Sequence, residues 1–442
     1  MRATLAGAAV AVGVAAFLAY GGGFPNTDAM WTLVWGREVL HLDTPSWSAG
    51  ATPHPLTNLL GVVAALVPSA SETVLLAVGY LAVGALVVGV FALGRALFGV
   101  AAGVLAALLA FTRDTLLFYG ALAYLDVIFA ALVIWAIALE AARPRRGVPV
   151  LVLLAIAGLV RPEAWLLSAA YWVYARPADR RAVLLVFAAP VLWAAIDLAV
   201  TGDPFFSFTT TTEATGRSGR PTGLSGVLTE GYRIVARTAR PDVCVAAVLG
   251  LVVAWRRGCF GLLFGVLVAS AVATFIPVIA GTPLNDRYLM VTMTLLCVAA
   301  AAPVALLEER GAWRLAGASG LALLVVGAVL QAPRFLDRRD EVVDRAGRLA
   351  DAHDALRPRV PCLPLVVPNN RLEPVTAVWL DVPLSDVRDG RDGIPDGSYL
   401  WGTPAAMKDI VVIAGRAGGA APEPSAPVVR RSGGWTLTAR CG

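Results

Sequence analysis

The sequence predicts an all-α polytopic membrane protein of about eleven transmembrane helices, closed by a small C-terminal α/β domain outside the membrane. Three observations predict it. The 442 residues are 58% hydrophobic and only 15% charged, with a mean hydropathy of +0.72, whereas an ordinary soluble domain is about 45–50% apolar and about 25% charged. Apolar runs of spanning or near-spanning length recur along the first 332 residues. Short arginine clusters separate them in alternate loops, as the positive-inside rule requires.

The runs lie at about 3–21, 73–94, 97–112, 126–142, 148–160, 165–175, 182–200, 242–255, 259–280, 288–306 and 315–332. A spanning helix needs about 20 apolar residues, with a range of about 17–25. The first run exceeds the ~7–15 residues of a signal-peptide core and reads as a span. The runs 148–160 and 165–175 are short. They read either as two spans or as a hairpin bent around Arg161-Pro162-Glu163, because proline both ends and starts helices.

With Arg2 inside, Arg95, Arg143 with Arg145 and Arg146, Arg176 with Arg180 and Arg181, Arg256 with Arg257, and the stretch Glu308 to Arg314 all fall on the cytoplasmic side. This predicts a cytoplasmic N-terminus. The outer face then receives the opening loop 22–72, the short loop 113–125, the turn Arg161 to Trp165, the loop 201–241, the turn 281–287 and the tail. A boundary at 333 separates a membrane domain, 1–333, from an extracytoplasmic domain, 334–442. In the tail, residues 337–357 carry charge at helical spacing, and Leu363 to Val367 and Ile410 to Ile413 read as strands between Pro/Gly-rich stretches.

Five cysteines sort by surroundings. Cys244, Cys259 and Cys297 lie in or beside apolar runs and read as buried thiols. Cys362 and Cys441 lie in the polar tail with no His or Cys at metal-ligand spacing; if the tail is extracytoplasmic, they can close a disulfide. The net charge of +5 comes from arginines scattered over helix ends and loops. With no basic stripe interleaved with aromatics, it points to the lipid bilayer and to no nucleic acid.

The polar residues on the predicted outer face carry the chemistry. Asp28 follows the first run, among Trp31, Trp35 and Trp47, the composition of an aromatic helix lying at headgroup level. Thr27 is an alternative cap, so capping does not explain Asp28. Asp126 opens the fourth run, where it either caps the helix or serves the site. Arg161-Pro162-Glu163 interrupts apolar sequence near membrane depth, where charge is expensive and functional by default. Arg161 either pairs with Glu163 or joins Arg287 in clamping a phosphate at headgroup level. His54, in Pro53-His54-Pro55, either bonds substrate or is buried in a turn. The loop 201–241, with its Thr-rich run, either covers the site or is solvated.

These residues, in this order, resemble the GT-C superfamily of integral-membrane glycosyltransferases, which includes protein O-mannosyltransferases and lipid A aminoarabinose transferases. The resemblance rests on Asp28 in a long first outer loop, the aromatic stretch Trp31 to Leu40, His54-Pro55-Leu56, Asp126, Arg161-Pro162-Glu163 and Arg287-Tyr288. It covers residues 1–332. Many relatives carry two adjacent acids in the first loop and His-Pro-Pro after it, whereas here Ala29 follows Asp28 and Leu56 follows Pro55; the subfamily stays open.

The resemblance implies a polyprenyl-phosphate-linked sugar as donor and a glycolipid, cell-wall glycan or protein as acceptor, with inversion. It implies Asp28 as general base and Arg161 and Arg287 as ligands of the donor phosphate. Asp126, His54 and Glu163 would position substrate, with a divalent cation at Asp126 as an open role. The rival reading is a transporter or flippase. Such a protein carries charges in mid-helix along its pathway, and only Asp197 is a candidate.

Overall fold

A computed structural model describes residues 2–50, 52–218, 222–238, 240–282, 284–357, 359–392, 396–408, 410 and 425–441. Helices α1 (Arg2–Tyr20), α2 (Thr27–Leu40), α3 (Pro55–Ala65), α4 (Ser71–Phe98), α5 (Val100–Phe111), α6 (Asp114–Ala121), α7 (Leu125–Ala142), α8 (Val148–Gly158), α9 (Glu163–Ala175) and α10 (Val183–Thr201) follow in order. Next come α11 (Phe206–Ser218), α12 (Gly223–Gly226), α13 (Tyr232–Thr238), α14 (Pro241–Arg256), α15 (Phe260–Ile279), α16 (Met290–Ala301) and α17 (Ala312–Leu356). The tail adds β1 (Leu365–Val367), α18 (Glu373–Leu380), β2 (Val387–Asp389), β3 (Gly397–Gly402), α19 (Pro404–Met407), β4 (Val428–Ser432) and β5 (Trp435–Arg440).

All eleven apolar runs are helical, and the chain is a multi-pass membrane protein. Among the described residues, however, seven helices are long and apolar enough to cross a membrane. The number is eight if α5 and α6, bent by 59° at Thr112-Arg113, form one span. Length accounts for the difference from eleven: α8 has 11 residues, α9 has 13 and α14 has 16. The stretch 148–175 is therefore a pair of short helices meeting at the Arg161-Pro162 turn.

Three further expectations change. The loop 113–125 contains α6. The loop 201–241 is largely helical over its described residues, as α11 to α13. The helix of the last apolar run does not end at 332: α17, 45 residues long from Ala312, continues through Pro333 to Leu356. Its polar second half is a good helix in its own right, with an i,i+4 pair between Glu341 and Arg345. The strand expected at Ile410 to Ile413 lies outside the described residues beyond Ile410.

The chain forms two compact units. The first comprises Met1–Tyr20, Thr52–Thr57 and Leu76–Arg338; the second comprises Gly21–Ala51, Asn58–Leu75 and Arg339–Gly442. The opening loop thus belongs with the tail, and a cut at 333 does not coincide with the units. In the first unit, small residues set the helix spacing, because lipid supplies no apolar driving force between helices and close packing must. A Cβ on Gly250 of α14 would stand 1.8 Å from the Ala299 carbonyl oxygen of α16, so glycine alone permits that approach.

In the second unit a five-stranded sheet runs in the order β2-β1-β3-β5-β4. Strands β1, β2 and β3 are parallel neighbours, with α18 supplying the crossover from β1 to β2; β5 pairs antiparallel with β3 and β4. Gly433 and Gly434, both at positive φ, make the two-residue turn of the β4–β5 hairpin, a conformation glycine adopts without steric cost. Trp435, Leu437, Leu400 and Leu365 fill the core.

Helix α2 packs on α18. Arg37 donates to the Ala377 carbonyl at 3.2 Å and pairs with Asp381, and the Trp379 indole donates to Glu72 at 2.8 Å. Trp31, Trp35 and Trp47 are buried, the first two stacked at 5.9 Å. They are core residues of this unit rather than rings laid at headgroup level.

Cys362 and Cys441 are disulfide-bonded across 79 residues, their Cα atoms 6.0 Å apart. The bond ties the start of the tail to its last strand. The chain-entropy model assigns a loop of that length about 4.5 kcal/mol. Cys362→Ser is expected to destabilise the tail by about 2–5 kcal/mol, read as a lowered unfolding midpoint and a newly alkylated Cys441 in non-reduced protein.

Candidate active site

The first unit gathers His54, Asp126, Arg161, Glu163 and Arg287 at one place. The site starts from two helix beginnings. Tyr124 is the extended residue before α7 and makes no side-chain cap, so Asp126 sits in an uncapped first turn, where the helix dipole favours an anion. At the other, the Arg161 amide donates to Ala157 at 2.9 Å and ends α8. Pro162 then opens α9 at φ −65°, the angle a helix start needs. The Trp165 indole donates to the Gly158 carbonyl at 2.9 Å, satisfying an end group of α8. This tight turn leaves the Arg161 and Glu163 side chains on the same side.

Arg161 pairs with Glu163, and a second carboxylate joins the pair. Its Nη2 donates to Glu163 Oε1 at 2.6 Å and its Nε lies 3.2 Å from both Glu163 oxygens. Its Nη1 donates to Asp126. The guanidinium is therefore shared between two buried carboxylates, and it lies 4.0 Å from the Tyr288 ring centroid in a cation–π contact. Asp126 is 2% exposed in its side chain and Glu163 8%. Arg161 is thus a hub joining α7 to α9, and its charge is already matched twice over.

Arg287 stands differently. Its Nε is 3.7 Å from the second Asp126 oxygen and its side chain is 22% exposed, with the Tyr124 ring centroid at 4.8 Å. It is the more open of the two arginines and completes a cluster of two positive and two negative side chains. His54 meets Trp193 edge-on at 5.5 Å and lies within electrostatic reach of Asp126. The neighbouring Leu56 amide donates to Leu159 at 3.1 Å, which pins the 52–57 strap to the α8–α9 turn.

Sequence reasoning missed the rings that frame the arginines, Tyr124 and Phe129, and the hydrogen bond from Tyr119 to Asp286. The occurrence of Tyr119 and Tyr124 within the short stretch 113–125 was the available signal. A divalent cation does not fit at Asp126, because the carboxylate already faces two guanidinium groups. Among the described residues no group of three or more His, Cys, Asp or Glu side chains is placed to hold a metal ion.

Asp28 lies in the second unit, in the first turn of α2. Asn26, not Thr27, caps this helix, its Oδ1 accepting from the Asp28 and Ala29 amides at 2.8 and 3.3 Å. Asp28 thus has a structural explanation of its own, since an acid in the first turn complements the helix dipole. Asp197, the transporter candidate, is buried and accepts from the Ser207 amide at 2.9 Å and hydroxyl at 2.8 Å; it fastens α10 to α11.

No family model matches the sequence, and no curated protein matches it. Solved structures do. The crystal structure of ArnT from Cupriavidus metallidurans in the apo state is similar over 98% of this chain and 97% of its own, with a TM-score of 0.57 at 13% identity. ArnT from the same organism bound to undecaprenyl phosphate is similar over the same shares, with a TM-score of 0.57 at 12% identity. The chain has the GT-C fold.

Proposed function

We propose that this protein is an integral-membrane glycosyltransferase that moves a sugar from a polyprenyl-phosphate donor to an extracytoplasmic glycolipid, cell-wall glycan or protein. The observation that carries this reading is the Asp126–Arg161–Glu163–Arg287 cluster, set in a fold shared along its whole length with a protein solved bound to undecaprenyl phosphate. Membrane-buried charge is kept where it binds or reacts.

In this reading the acceptor hydroxyl oxygen attacks the anomeric carbon as the bond from that carbon to the phosphate oxygen breaks. The departing phosphate keeps the electron pair, the hydroxyl proton passes to a carboxylate, and the anomeric configuration inverts. Asp28 is the proposed base. Arg287, the more exposed arginine, receives the phosphate charge, with Arg161 behind it holding Asp126 and Glu163 in register. Asp126 and His54 orient the sugar. The transporter reading loses its motive with Asp197, whose hydrogen bonds to Ser207 explain its burial.

The test is a membrane assay with a panel of polyprenyl-phosphate sugars. Wild type is expected to transfer at least one of them. Arg287→Ala should raise the donor KM by about 10–100-fold, the loss expected for a charge-assisted hydrogen bond worth about 1.5–3 kcal/mol, with little change in the acceptor KM. An equal rise for donor and acceptor would remove Arg287 from the phosphate site.

A further inference from the structure

At the end of α7 away from Asp126, the bundle holds a second feature that the proposed reaction does not use. A groove of about 230 Å³ runs between α7, α8, α9 and α15, lined along most of its length by apolar groups such as Val133, Ile137, Leu154, Leu262 and Val266. Gly261 and Gly265 of α15 face it, and a Cβ at either would meet nothing within 4 Å. A helix interior disfavours glycine, and here no neighbouring backbone demands it. The space beside these glycines is real volume. Ser270, also on the lining, is spoken for by Leu267 and Thr292 at 3.0 and 2.9 Å.

Apart from Ser270, the polar side chains on the lining are Glu140, Tyr171 and Tyr174, at the Glu140 end of α7. Glu140 is buried and fully engaged: it accepts from the Arg145 amide at 2.6 Å, the Arg146 amide at 3.2 Å and the Tyr171 hydroxyl at 2.7 Å. Tyr171 in turn accepts from the Gly147 amide at 2.9 Å. These bonds fix the turn after α7 at the groove mouth and leave Arg143 and Arg145 exposed beside it, with Arg145 in electrostatic reach of Tyr174. Three arginines against one internally satisfied glutamate give the mouth a positive balance.

We propose that this groove seats one hydrocarbon chain of an anionic bilayer phospholipid, whose headgroup rests on Arg143, Arg145 and Arg146. The occupant follows from the surroundings. A chain that spans a membrane meets hydrocarbon at mid-depth, the lining is apolar, and basic residues at a membrane surface attract anionic headgroups. The volume suits part of one chain rather than a whole lipid, so the headgroup stays outside. The sugar donor is a poor match. Glu140 lies 14 residues beyond Asp126 on one helix, about 21 Å at ~1.5 Å per residue, so a donor with its phosphate at Arg287 presents no anion to this mouth. The seat is independent of the proposed transferase reaction.

The test is native mass spectrometry of the full chain in mild detergent. The probes are phosphatidylglycerol, phosphatidylcholine with the same acyl chains, and undecaprenyl phosphate. Wild type is expected to retain one phosphatidylglycerol at least tenfold in preference to phosphatidylcholine. Gly265→Leu, which fills the groove, should cut that retention at least tenfold while leaving the melting temperature and undecaprenyl phosphate binding unchanged. The triple variant Arg143→Gln, Arg145→Gln, Arg146→Gln, which leaves the apolar lining untouched, should bind the two phospholipids equally. Unchanged retention in Gly265→Leu, a headgroup preference that survives loss of the arginines, or one-for-one displacement by undecaprenyl phosphate would each overturn the proposal.

Discussion

Arg161→Ala is expected to destabilise the membrane unit by about 3–5 kcal/mol, the usual cost of removing one partner from a buried ion pair. The size of the effect follows from what remains. Asp126 and Glu163 would be left facing each other among apolar helices, two carboxylates without the guanidinium that both accept from. Arg287, 3.7 Å from Asp126, is more exposed and does not take over the short bonds Arg161 makes to both. Destabilisation alone would not separate a structural hub from a catalytic one, so a second variant is needed. Neutralising the three most buried members of the cluster, with Arg161→Met, Asp126→Asn and Glu163→Gln together, leaves the more exposed Arg287 and removes the uncompensated buried carboxylates, and it should recover most of the melting temperature. Transfer activity should stay lost. Recovery of both stability and activity would leave the cluster a purely structural clamp.

The helices were legible because a spanning helix announces itself by composition, and every apolar run proved helical. What composition does not encode is where a run stops. Pro333 and the charges after it look like an end, yet losing one helical hydrogen bond is tolerable when Glu341 and Arg345 continue the pattern in water. The Arg161–Glu163 pair was legible because the partners are two residues apart. Its third member was not: Asp126 is 35 positions away, and the packing of α7 against α8, which ends at the Arg161 turn, brings it in. The three tryptophans of the opening loop misled for the opposite reason. An aromatic surface buried on itself has the same composition as one laid on lipid headgroups, and here the rings pack on one another and on Gly50.

Asp28→Asn carries the largest kinetic effect. If Asp28 is the general base, the substitution should lower kcat by about 10²–10⁴ while undecaprenyl phosphate binding and expression stay at wild-type levels. Asn26 remains the cap of α2, with its own bonds to two amides, and the helix-dipole share of losing a first-turn acid is about 0.3–1 kcal/mol. The two explanations of Asp28 therefore predict different observables: the helix-dipole role moves the melting temperature slightly and the rate not at all, whereas the base role moves the rate and leaves stability nearly unchanged. Asp28→Glu sharpens the contrast, since it keeps the dipole interaction but shifts the carboxylate by one methylene, which should still cost most of the rate. Wild-type turnover in Asp28→Asn would return this residue to its helix terminus and move the search for the base to Asp126, whose carboxylate is the other acid held at a helix start.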